Sequence, residues 1–402
     1  MSSGYWRDSL LSAQSDLKNA NRWRQRCLID SAQHTTVSSG DVSLVNFSSN
    51  DYLGFAANPL LVQAVSQGVG QWGVGAGASH LVCGHQTPHQ NLEGELAQFV
   101  GAESALLFSN GYMANLALCT ALVGKGDLLL MDRLNHASIV DGAKLSDARF
   151  KRYAHCDLGH AEVRIHNASF SQLMIVTDGV FSMDGDIAPL DGLKALTDQH
   201  TGLLCVDDAH GVGVLGDFGK GSLSRFGLSP VDNVVLMGTL GKAFGSYGAF
   251  IAGDHDIIQH LIQSARSYIY TTALPPSVAL GSSAALALHK NQWAELQSSL
   301  KNLIDLFKFE AGQAGLTLMP SETPIQPVLI GDEGRCVDLN AQLRELGFLV
   351  AAIRTPTVAK GAARLRVVIS AQHTKDQVRG LVRALSLAIL DSGYKESRPI
   401  SQ

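Results

Sequence analysis

A single lysine stands among four glycines in the segment GTLGKAFGSYG, residues 238–248. The apolar run Val234–Met237 precedes this segment and predicts a buried strand that ends where the glycines begin. An ordinary surface lysine needs no such setting, because it lies on a polar face in solvent. Lys242 is therefore interpreted as a reactive amine that a tight backbone turn delivers from a strand end.

A second group of reactive side chains follows the apolar run LLCV and comprises Asp207, Asp208 and His210. One interpretation is a polar loop start at the carboxyl edge of a sheet. That edge, however, is where open α/β sheets bind ligands. A carboxylate and an imidazole three residues apart could hold two polar points of one flat ligand. The residues alone leave both interpretations open.

Two further turns carry weaker signals of the same kind. Asn135 and His136 follow the strand-like run DLLLMD, although a lone histidine is usually structural. The Ser-Asn-Gly turn at residues 109–111 opens a helix, and the exposed backbone N–H groups of a helix start suit a phosphate. Together the turns predict a phosphate cradle, a ring-sized histidine, an acid and an amine at successive strand ends of one sheet.

Two other motifs are weaker candidates for chemistry. The glycines of HGVGVLG, residues 210–216, match the dinucleotide fingerprint, but two aspartates and a histidine separate them from the preceding strand. The residues that follow do not open a pyrophosphate-binding helix. The run HLVCGHQTPH, residues 80–89, holds four possible metal ligands. Structural zinc usually draws ligand pairs from separated segments, so core or solvated histidines are favoured and no metal is predicted.

The elements that must position these residues alternate along the chain. From residue 53 to residue 288, short apolar runs separated by helix-length segments predict a large, mostly parallel sheet with helices on both faces. From residue 289 to residue 402, the order of long helix, strand, helix, paired strands and last helix predicts a smaller α+β domain. Residues 1–52 form a third segment, with helical spacing over residues 5–30 and a short strand. The predicted fold class is α/β.

The composition limits the classes of partner. The 402 residues carry a net charge of −5 without a basic block, which argues against nucleic acid and anionic membrane. The six cysteines are scattered and form no CxxC pair, as is typical of reduced thiols. No apolar run approaches the ~18 residues of a membrane span, and the first thirty residues lack a signal-peptide core. We therefore expect a soluble, cytoplasmic protein that acts away from nucleic acid and membrane.

Five segments identify a family resemblance by their order and spacing: SNGYMANLA, NHASIVDG, TDGVFSMDGDIAPL, VDDAHGVGVLG and TLGKAFG. They resemble the α-oxoamine synthases, which are pyridoxal-phosphate enzymes of the aspartate-aminotransferase fold (fold type I). The likeness runs from NFSSNDYLGF to AARLRVVIS near the carboxyl terminus. It implies bound pyridoxal 5′-phosphate, a homodimer, and condensation of an amino acid with an acyl thioester with loss of carbon dioxide.

The resemblance also implies a role for each matching residue. Lys242 is expected to bind the cofactor aldehyde, Asp207 to face the pyridinium nitrogen, and His210 to lie near the phenolic oxygen. His136 is expected to stack on the pyridine face and to border the substrate. The other expected cofactor contacts are Gly111, Tyr112, Ser182, Thr239 and, from the neighbouring subunit, Thr272. The expected substrate contacts are Asn50 and Arg366, as a carboxylate clamp, and Arg24, Arg354 and Thr357, on the acyl substrate and product.

The segment AAIRTPTV, residues 351–358, narrows the expected substrates. It resembles the corresponding segment of the family members that make 8-amino-7-oxononanoate in biotin biosynthesis. This likeness implies L-alanine and a pimeloyl thioester, carried by coenzyme A or by an acyl carrier protein. Glycine C-acetyltransferase and 5-aminolevulinate synthase use the same machinery with glycine and stay open as alternatives. An aminotransferase, which releases no carbon dioxide, is a more distant alternative.

Overall fold

The computed structural model describes residues 4–20 and 22–391, and the chain divides into two compact units. Residues 50–298 form the larger unit. Residues 1–49 and 299–402 form the smaller unit. Among the described helices, none has the length and apolar character needed to cross a membrane.

The helices and strands follow one another along both units. The helices are α1 Tyr5–Asn19, α2 Pro59–Trp72, α3 Thr87–Val100, α4 Gly111–Ala121, α5 Ala137–Leu145, α6 Leu158–His166, α7 Leu190–Gln199, α8 Ser222–Arg225, α9 His255–Ser264, α10 Arg266–Ile269, α11 Pro276–Gln313, α12 Glu333–Glu345 and α13 Lys375–Asp391. The strands are β1 Thr36–Ser39, β2 Val42–Asn46, β3 Ser104–Phe108, β4 Leu128–Asp132, β5 Arg149–Tyr153, β6 Leu173–Asp178, β7 Leu203–Asp207, β8 Val234–Thr239, β9 Ala249–Gly253, β10 Ile325–Gly331, β11 Phe348–Leu349, β12 Ala351–Ile353 and β13 Ala363–Val368. A π-helical turn spans His80–Gly84, and a 3-10 turn spans Asp217–Gly219.

The larger unit contains a seven-stranded sheet with the strand order β3-β9-β8-β7-β6-β4-β5. Strand β9 pairs antiparallel with both β3 and β8, and the other neighbouring pairs of this sheet are parallel. Six of the strands, β3, β4, β6, β7, β8 and β9, coincide with short apolar runs of the sequence. The seventh, β5, has the sequence RFKRY and lies at the sheet edge, where most of its side chains are exposed. It lacks the apolar signal because one face of an edge strand meets solvent.

The central strands place polar residues along one edge of this sheet. Strands β4, β6, β7 and β8 run parallel, so their carboxyl ends lie on the same side. β4 ends at Asp132, β6 at Asp178, β7 at Asp207 and β8 at Thr239. Almost every residue within these strands is buried, as expected for a parallel sheet covered on both faces. The carboxyl edge is therefore where the larger unit gathers its polar side chains.

The smaller unit contains two three-stranded sheets, with the orders β1-β2-β11 and β10-β13-β12. Strand β2 pairs in parallel with β11, so the amino-terminal segment shares a sheet with the carboxyl-terminal region. The sequence-based division kept residues 1–52 apart and began a domain at residue 289. In the structure, that second boundary falls inside α11, which begins at Pro276.

The sequence predicted the start of α13 correctly but not the end of α1. Helix α1 ends at Asn19, so the helix expected over residues 5–30 is too long. The carbonyl of Trp23 accepts a hydrogen bond from the Arg354 guanidinium instead of from a helix N–H group. The predicted start of α13 is confirmed, because Thr374 and Gln377 form reciprocal capping hydrogen bonds of 2.9 and 3.1 Å.

Candidate active site

The turn that carries Lys242 follows β8 directly and closes on itself. The N–H of Gly245 donates to the carbonyl of Lys242 at 2.9 Å, and the N–H of Leu240 donates to the carbonyl of Gly248 at 2.9 Å. Gly245 has a φ of +60°, and a Cβ there would lie 2.3 Å from a backbone nitrogen. Glycine at this position thus permits the close approach that holds the turn, with Lys242 half-buried within it.

A chain of polar side chains leads away from the Lys242 amine. Its Nζ lies 2.8 Å from Nε2 of His210. On the other side of the same ring, Nδ1 lies 2.5 Å from the hydroxyl of Tyr52. That hydroxyl donates to Oδ1 of Asn50 at 3.4 Å. The amine predicted to be reactive is therefore in direct contact with an imidazole whose far nitrogen is held by a fully buried phenol.

Asp207 is fixed by two donors at the end of β7. Its Oδ2 accepts from the Asn115 amide at 2.6 Å, and its Oδ1 accepts from the N–H of Ala209 at 3.0 Å. The same Asn115 amide donates to the hydroxyl of Ser138 at 2.8 Å. That hydroxyl lies 2.7 Å from Nδ1 of His136. One chain of hydrogen bonds thus joins Asp207 to His136, the residue predicted to stack on the cofactor ring.

Charges near His136 show that the predicted groups lie close together. Burial lowers the pKa of His136, the Asp207 carboxylate opposes that effect, and the Lys242 charge lowers the pKa further. The N–H of His136 also donates to Asp178 at 3.0 Å. Burial and the neighbouring Asp207 raise the pKa of Asp178 well above its ordinary value. The carboxyl edge therefore brings Asp178, Asp207, His136 and Lys242 within electrostatic reach of one another.

Asp208 follows the last residue of β7 and is fully buried. Its Oδ2 accepts from the N–H of Ser222 at 2.7 Å. Three glycines, Gly179, Gly211 and Gly221, crowd its carboxylate, because a Cβ at each would lie 2.5, 2.0 and 2.1 Å from a carboxylate oxygen. Burial raises the pKa of Asp208 to about 7. This carboxyl group therefore joins loops of the larger unit.

The start of α4 has the geometry expected of an anion cradle. Asn110 caps the helix, and its side chain accepts from the N–H of Met113 at 3.0 Å. Gly111 is the first helical residue, so its N–H points out of the helix end. The hydroxyl of Ser109 donates to the carbonyl of Thr272 in the same chain at 3.2 Å. Thr272 is exposed and thus available to a second molecule.

Three other predicted cofactor contacts occupy distinct surroundings. The hydroxyl of the partly exposed Tyr112 donates to Asp141, and this bond raises the pKa of Tyr112. Thr239 ends β8, and its hydroxyl donates to the carbonyl of Gly248 at 3.0 Å across the base of the lysine turn. Ser182 is half-buried in the loop that follows β6. Their contact with a cofactor stays a prediction.

The smaller unit brings three of the predicted acyl contacts together. Arg24, Arg354 and Thr357 line one cavity of about 820 Å³. Arg354 is anchored there, because its Nη2 donates to the carbonyl of Trp23 at 2.8 Å. Arg366, predicted for the carboxylate clamp with Asn50, is buried on β13 of the same unit. The clamp itself stays a prediction.

Two groups of possible metal ligands occur within the described residues. His80, His85 and His89 offer ring nitrogens within 4.8 Å of one another. Both nitrogens of His89 are engaged, since Nδ1 accepts from the N–H of Gln86 at 3.0 Å and Nε2 bonds the carbonyl of Leu274 at 2.7 Å. Burial lowers the pKa of His80 to about 3. These contacts favour the interpretation as core histidines. The second group comprises Asp132, His155 and Cys156.

Sequence reasoning missed four residues of this site: Tyr52, Asn115, Ser138 and Asp178. Tyr52 belongs to the segment NFSSNDYLGF, but nothing in that segment indicates contact with a histidine more than 150 residues later. Asn115 and Ser138 lie one turn or less from predicted residues, and each is a polar residue in an otherwise apolar stretch of helix. Buried polar residues of this kind require a partner, which is the signal that could have found them.

Comparisons with known proteins agree with this geometry. A family profile described as "Aminotransferase class I and II" matches residues 42–385. The chain is 48% identical over 378 residues to 8-amino-7-oxononanoate synthase of Methylococcus capsulatus, which covers 94% of this chain and 97% of the relative. It is 52% identical over 365 residues to the protein of the same name from Stutzerimonas stutzeri, covering 90% and 92%.

A solved structure shows the same fold. Serine palmitoyltransferase from S. paucimobilis, with a bound PLP–myriocin aldimine, superposes with a TM-score of 0.90 at 25% sequence identity. The superposition covers 98% of this chain and 100% of that chain. The predicted α/β fold of the aspartate-aminotransferase type is thereby confirmed. The chain belongs to the aminotransferase class I and II family and, within it, to the family of the 8-amino-7-oxononanoate synthases.

Proposed function

We propose that this protein is a pyridoxal-phosphate-dependent acyltransferase. It condenses L-alanine with a pimeloyl thioester and releases carbon dioxide, the thiol carrier and 8-amino-7-oxononanoate, a step of biotin biosynthesis. The enzyme class, cofactor and reaction that the sequence predicted are confirmed by relatives of about 50% identity over more than nine tenths of the chain. The role of each site residue and the carrier of the acyl group belong to the proposal.

The residues of the larger unit fit pyridoxal phosphate by the chemistry of their donors. The amine matches an aldehyde, and the imidazole in contact with it matches a phenolic oxygen. The carboxyl held by two donors matches a ring nitrogen, and the start of α4, with the N–H of Gly111 at its end, matches a phosphate. We assign these functions to Lys242, His210, Asp207 and Gly111. His136 supplies a ring face. When bound, the cofactor withdraws electrons from the Cα of the amino acid.

The contacts of Lys242 support a role in proton transfer at Cα. A general base must lie within hydrogen-bond reach of the groups with which it exchanges protons. His210 is such a group, at 2.8 Å, and Tyr52 fixes its ring from the far side. Lys242 takes the Cα proton and returns one after decarboxylation, and His210 holds a proton beside it. Asp207, fixed by Asn115, would keep the ring nitrogen of the bound cofactor protonated.

The cavity of the smaller unit supports recognition of an anionic acyl substrate. Among the described residues that line it, none is an aspartate or glutamate and four are cations: Lys18, Arg22, Arg24 and Arg354. Apolar side chains, including Trp23 and Ile353, complete the wall. A pimeloyl chain combines methylene groups with a distal carboxylate, which matches apolar walls and guanidinium groups. We assign Arg24, Arg354 and Thr357 to the acyl substrate and product.

The contact between Lys242 and His210 carries the proposal, because it joins the predicted amine to the predicted acid–base partner. A product assay tests the reaction. Alanine and glycine are each paired with pimeloyl, acetyl and succinyl thioesters, with coenzyme A or acyl carrier protein as the carrier. We expect alanine with a pimeloyl thioester to turn over fastest and to release carbon dioxide. Faster turnover of glycine with an acetyl or succinyl thioester would assign the protein to one of the glycine-dependent alternatives.

A substitution in the cavity tests whether Arg354 binds the acyl substrate. Arg354→Ala removes a cation from the cavity, and we expect the KM for the pimeloyl thioester to rise by about 10-fold or more. The KM for alanine is expected to change little. Lys360→Ala is the matched control, because Lys360 is an exposed cation six residues away that does not line the cavity. Equal effects of the two substitutions would remove the support that this cavity gives.

We also propose a homodimer and a cytoplasmic location. The exposed Thr272, whose carbonyl meets Ser109 at the predicted phosphate turn, supports a contribution from a second copy of the chain. The proposed substrates are an amino acid and a thioester on a water-soluble carrier, which supports the cytoplasmic location.

A further inference from the structure

His155 lies between two carboxylates that belong to different loops of the larger unit. Its Nδ1 is 3.1 Å from Oδ1 of Asp132, which ends β4. Its Nε2 is 2.7 Å from Oδ2 of Asp186, which lies in the loop after β6. Asp132 is almost fully buried. The sequence did not indicate His155, Asp132 or Asp186 as candidates for chemistry. His155 has no part in the proposed reaction.

Protein groups engage every polar side-chain atom of Asp132 and His155, whereas Oδ1 of Asp186 is buried without a hydrogen-bond partner among the described residues. Oδ1 of Asp132 accepts from the N–H of Leu134 at 2.8 Å as well as from His155. Oδ2 accepts from the N–H of Cys156 at 2.8 Å. Both ring nitrogens of His155 face carboxylates. The cluster is therefore a cation held by two anions.

The charge of His155 is stable near neutral pH. Burial on its own lowers the pKa of the ring, but the hydrogen bonds to Asp132 and Asp186 outweigh burial and raise the pKa to about 12. A doubly charge-assisted contact of this kind is stronger than a bond between neutral groups. Removing the cation leaves the buried Asp132 carboxylate without its counter-charge.

The two carboxylates connect His155 to the loops that carry Ser182 and His136, two residues of the proposed site. In the loop after β6, the N–H of Phe181 donates to the carbonyl of Asp186 at 3.0 Å, which closes a turn around Ser182. The edge of His155 also packs on the Phe181 ring, with centroids 4.4 Å apart. His155 thus contacts both residues that close the turn. On the other side, Asp132 anchors the N–H of Leu134, two residues before His136.

We infer that His155 is a positioning residue: its two ring nitrogens join the Ser182 turn, through Asp186, to the His136 loop, through Asp132, and so set the geometry of two loops proposed to contact the cofactor. The inference rests on the proposed function for the roles of Ser182 and His136. It concerns how these loops are held and adds no group to the reacting atoms.

Hydrogen–deuterium exchange of the cofactor-free protein tests the His155 clamp, that is, His155 with Asp132 and Asp186, without reference to activity. His155→Gln removes the cation, and Asp186→Asn removes one of its two anions while keeping a hydrogen-bonding side chain. We expect faster amide exchange over residues 181–186 in both variants and over residues 133–136 in His155→Gln. Asp191→Asn, an exposed aspartate just beyond the loop, is the control and should exchange like the wild type. Unchanged exchange over residues 181–186 in both variants would overturn the inference.

The affinity for pyridoxal phosphate tests whether the clamp serves the cofactor. We expect the dissociation constant to rise by about 10-fold or more in His155→Gln, as for loss of a hydrogen bond to a charged group. The double variant with Asp186→Asn should be little worse than His155→Gln alone, because both remove the same contact. Additive losses, or wild-type affinity in every variant, would contradict the inference.

Failure of the proposed function gives a different pattern of results. A wild-type protein that does not bind pyridoxal phosphate would contradict the proposed function, while the exchange data would still decide whether His155 holds the two loops. A wild-type protein that binds it normally, with variants that also bind normally, would contradict the positioning role alone. Should His155→Gln fail to fold, Asp186→Asn supplies the same comparison with one arm of the clamp intact.

Discussion

Asp207 and Lys242 differ in how their side chains are hydrogen-bonded, and the difference matches their proposed roles. Asp207 has each carboxylate oxygen bonded to a donor, which keeps the carboxylate in one orientation. The amine of Lys242 lies on a half-buried turn and meets an imidazole nitrogen. A fixed charge suits an electrostatic partner of the cofactor ring, whereas an amine beside an imidazole suits proton exchange.

Replacing Asp207 tests the fixed charge. Asp207→Asn keeps hydrogen-bonding capacity but lacks the negative charge that sustains a proton on the ring nitrogen. We expect Cα-deuterium exchange of L-alanine to slow by about 10²–10³-fold, as for loss of one preorganised electrostatic contact. Cofactor affinity should fall less, because Lys242 and the start of α4 are unchanged. The measurement is the exchange rate at saturating cofactor.

Asp208→Asn is the matched control for that experiment. Asp208 neighbours Asp207 in sequence but faces Ser222 and the three glycines. Its amide variant resembles the neutral acid that burial favours, so we expect exchange close to the wild-type rate. Equal slowing in both variants, or a larger loss at Asp208, would show that the wrong aspartate has been assigned.

Tyr52 provides a second test, on a residue that the sequence did not single out. Tyr52→Phe removes the hydroxyl that contacts Nδ1 of His210 and leaves the buried ring in place. We expect kcat to fall by about 10-fold or more, because the imidazole beside Lys242 loses its orienting bond. Tyr5→Phe, at an exposed site on α1, should leave kcat unchanged. A wild-type kcat in Tyr52→Phe would contradict the proposed role of the His210 contact.

Elements of the fold differ in how much of them the sequence could predict. Buried strands such as β4 and β8 carry continuous apolar runs, so the sheet and its functional edge could be predicted from periodicity. Strand β5 could not be predicted in this way, because it lies at the sheet edge and most of its side chains are exposed. The end of α1 could not be predicted either, because the chain beyond it contacts residues that are distant in sequence, such as Arg354. The same holds for the clamp at His155, whose partners Asp132 and Asp186 are separated along the chain and meet only after the sheet forms.

The loops around Asp208 give a prediction about stability and pH. The pKa of Asp208 in the folded protein is about 7, above its ordinary value of 3.8, so the folded state binds the proton more tightly than the unfolded state. The cost of ionising Asp208 is therefore absent below about pH 4, grows as the pH rises, and is complete above about pH 7. Asp208→Asn lacks this cost.

Comparison of unfolding free energies at several pH values checks this expectation. The stability of Asp208→Asn relative to the wild type should rise between pH 4 and pH 7, by at most about 1.4 kcal/mol per pH unit. Comparing the two proteins removes the contributions of Glu93 and Asp178, whose pKa values burial also raises. A difference that does not vary with pH would show that Asp208 is ionised equally in both states.

The whole molecule is expected to work as a homodimer. Thr272 is exposed, and its neighbour Ser109 belongs to the turn that opens α4. We expect sedimentation to show a dimer at assay concentrations, and Thr272→Ala to weaken cofactor binding without lowering the melting temperature. An active monomer at those concentrations would contradict the dimer proposal, while the assignments within the larger unit would stand.

The whole account depends on the chemical identity of one amine. Borohydride reduction of the protein loaded with pyridoxal phosphate, followed by peptide mapping, determines which lysine carries the cofactor. We expect a yellow protein before reduction and a single labelled peptide that contains Lys242. The Lys242→Ala variant should give no label. A label on a different lysine, or no label on protein that retains the cofactor, would contradict the assignment of Lys242 and the reaction built on it.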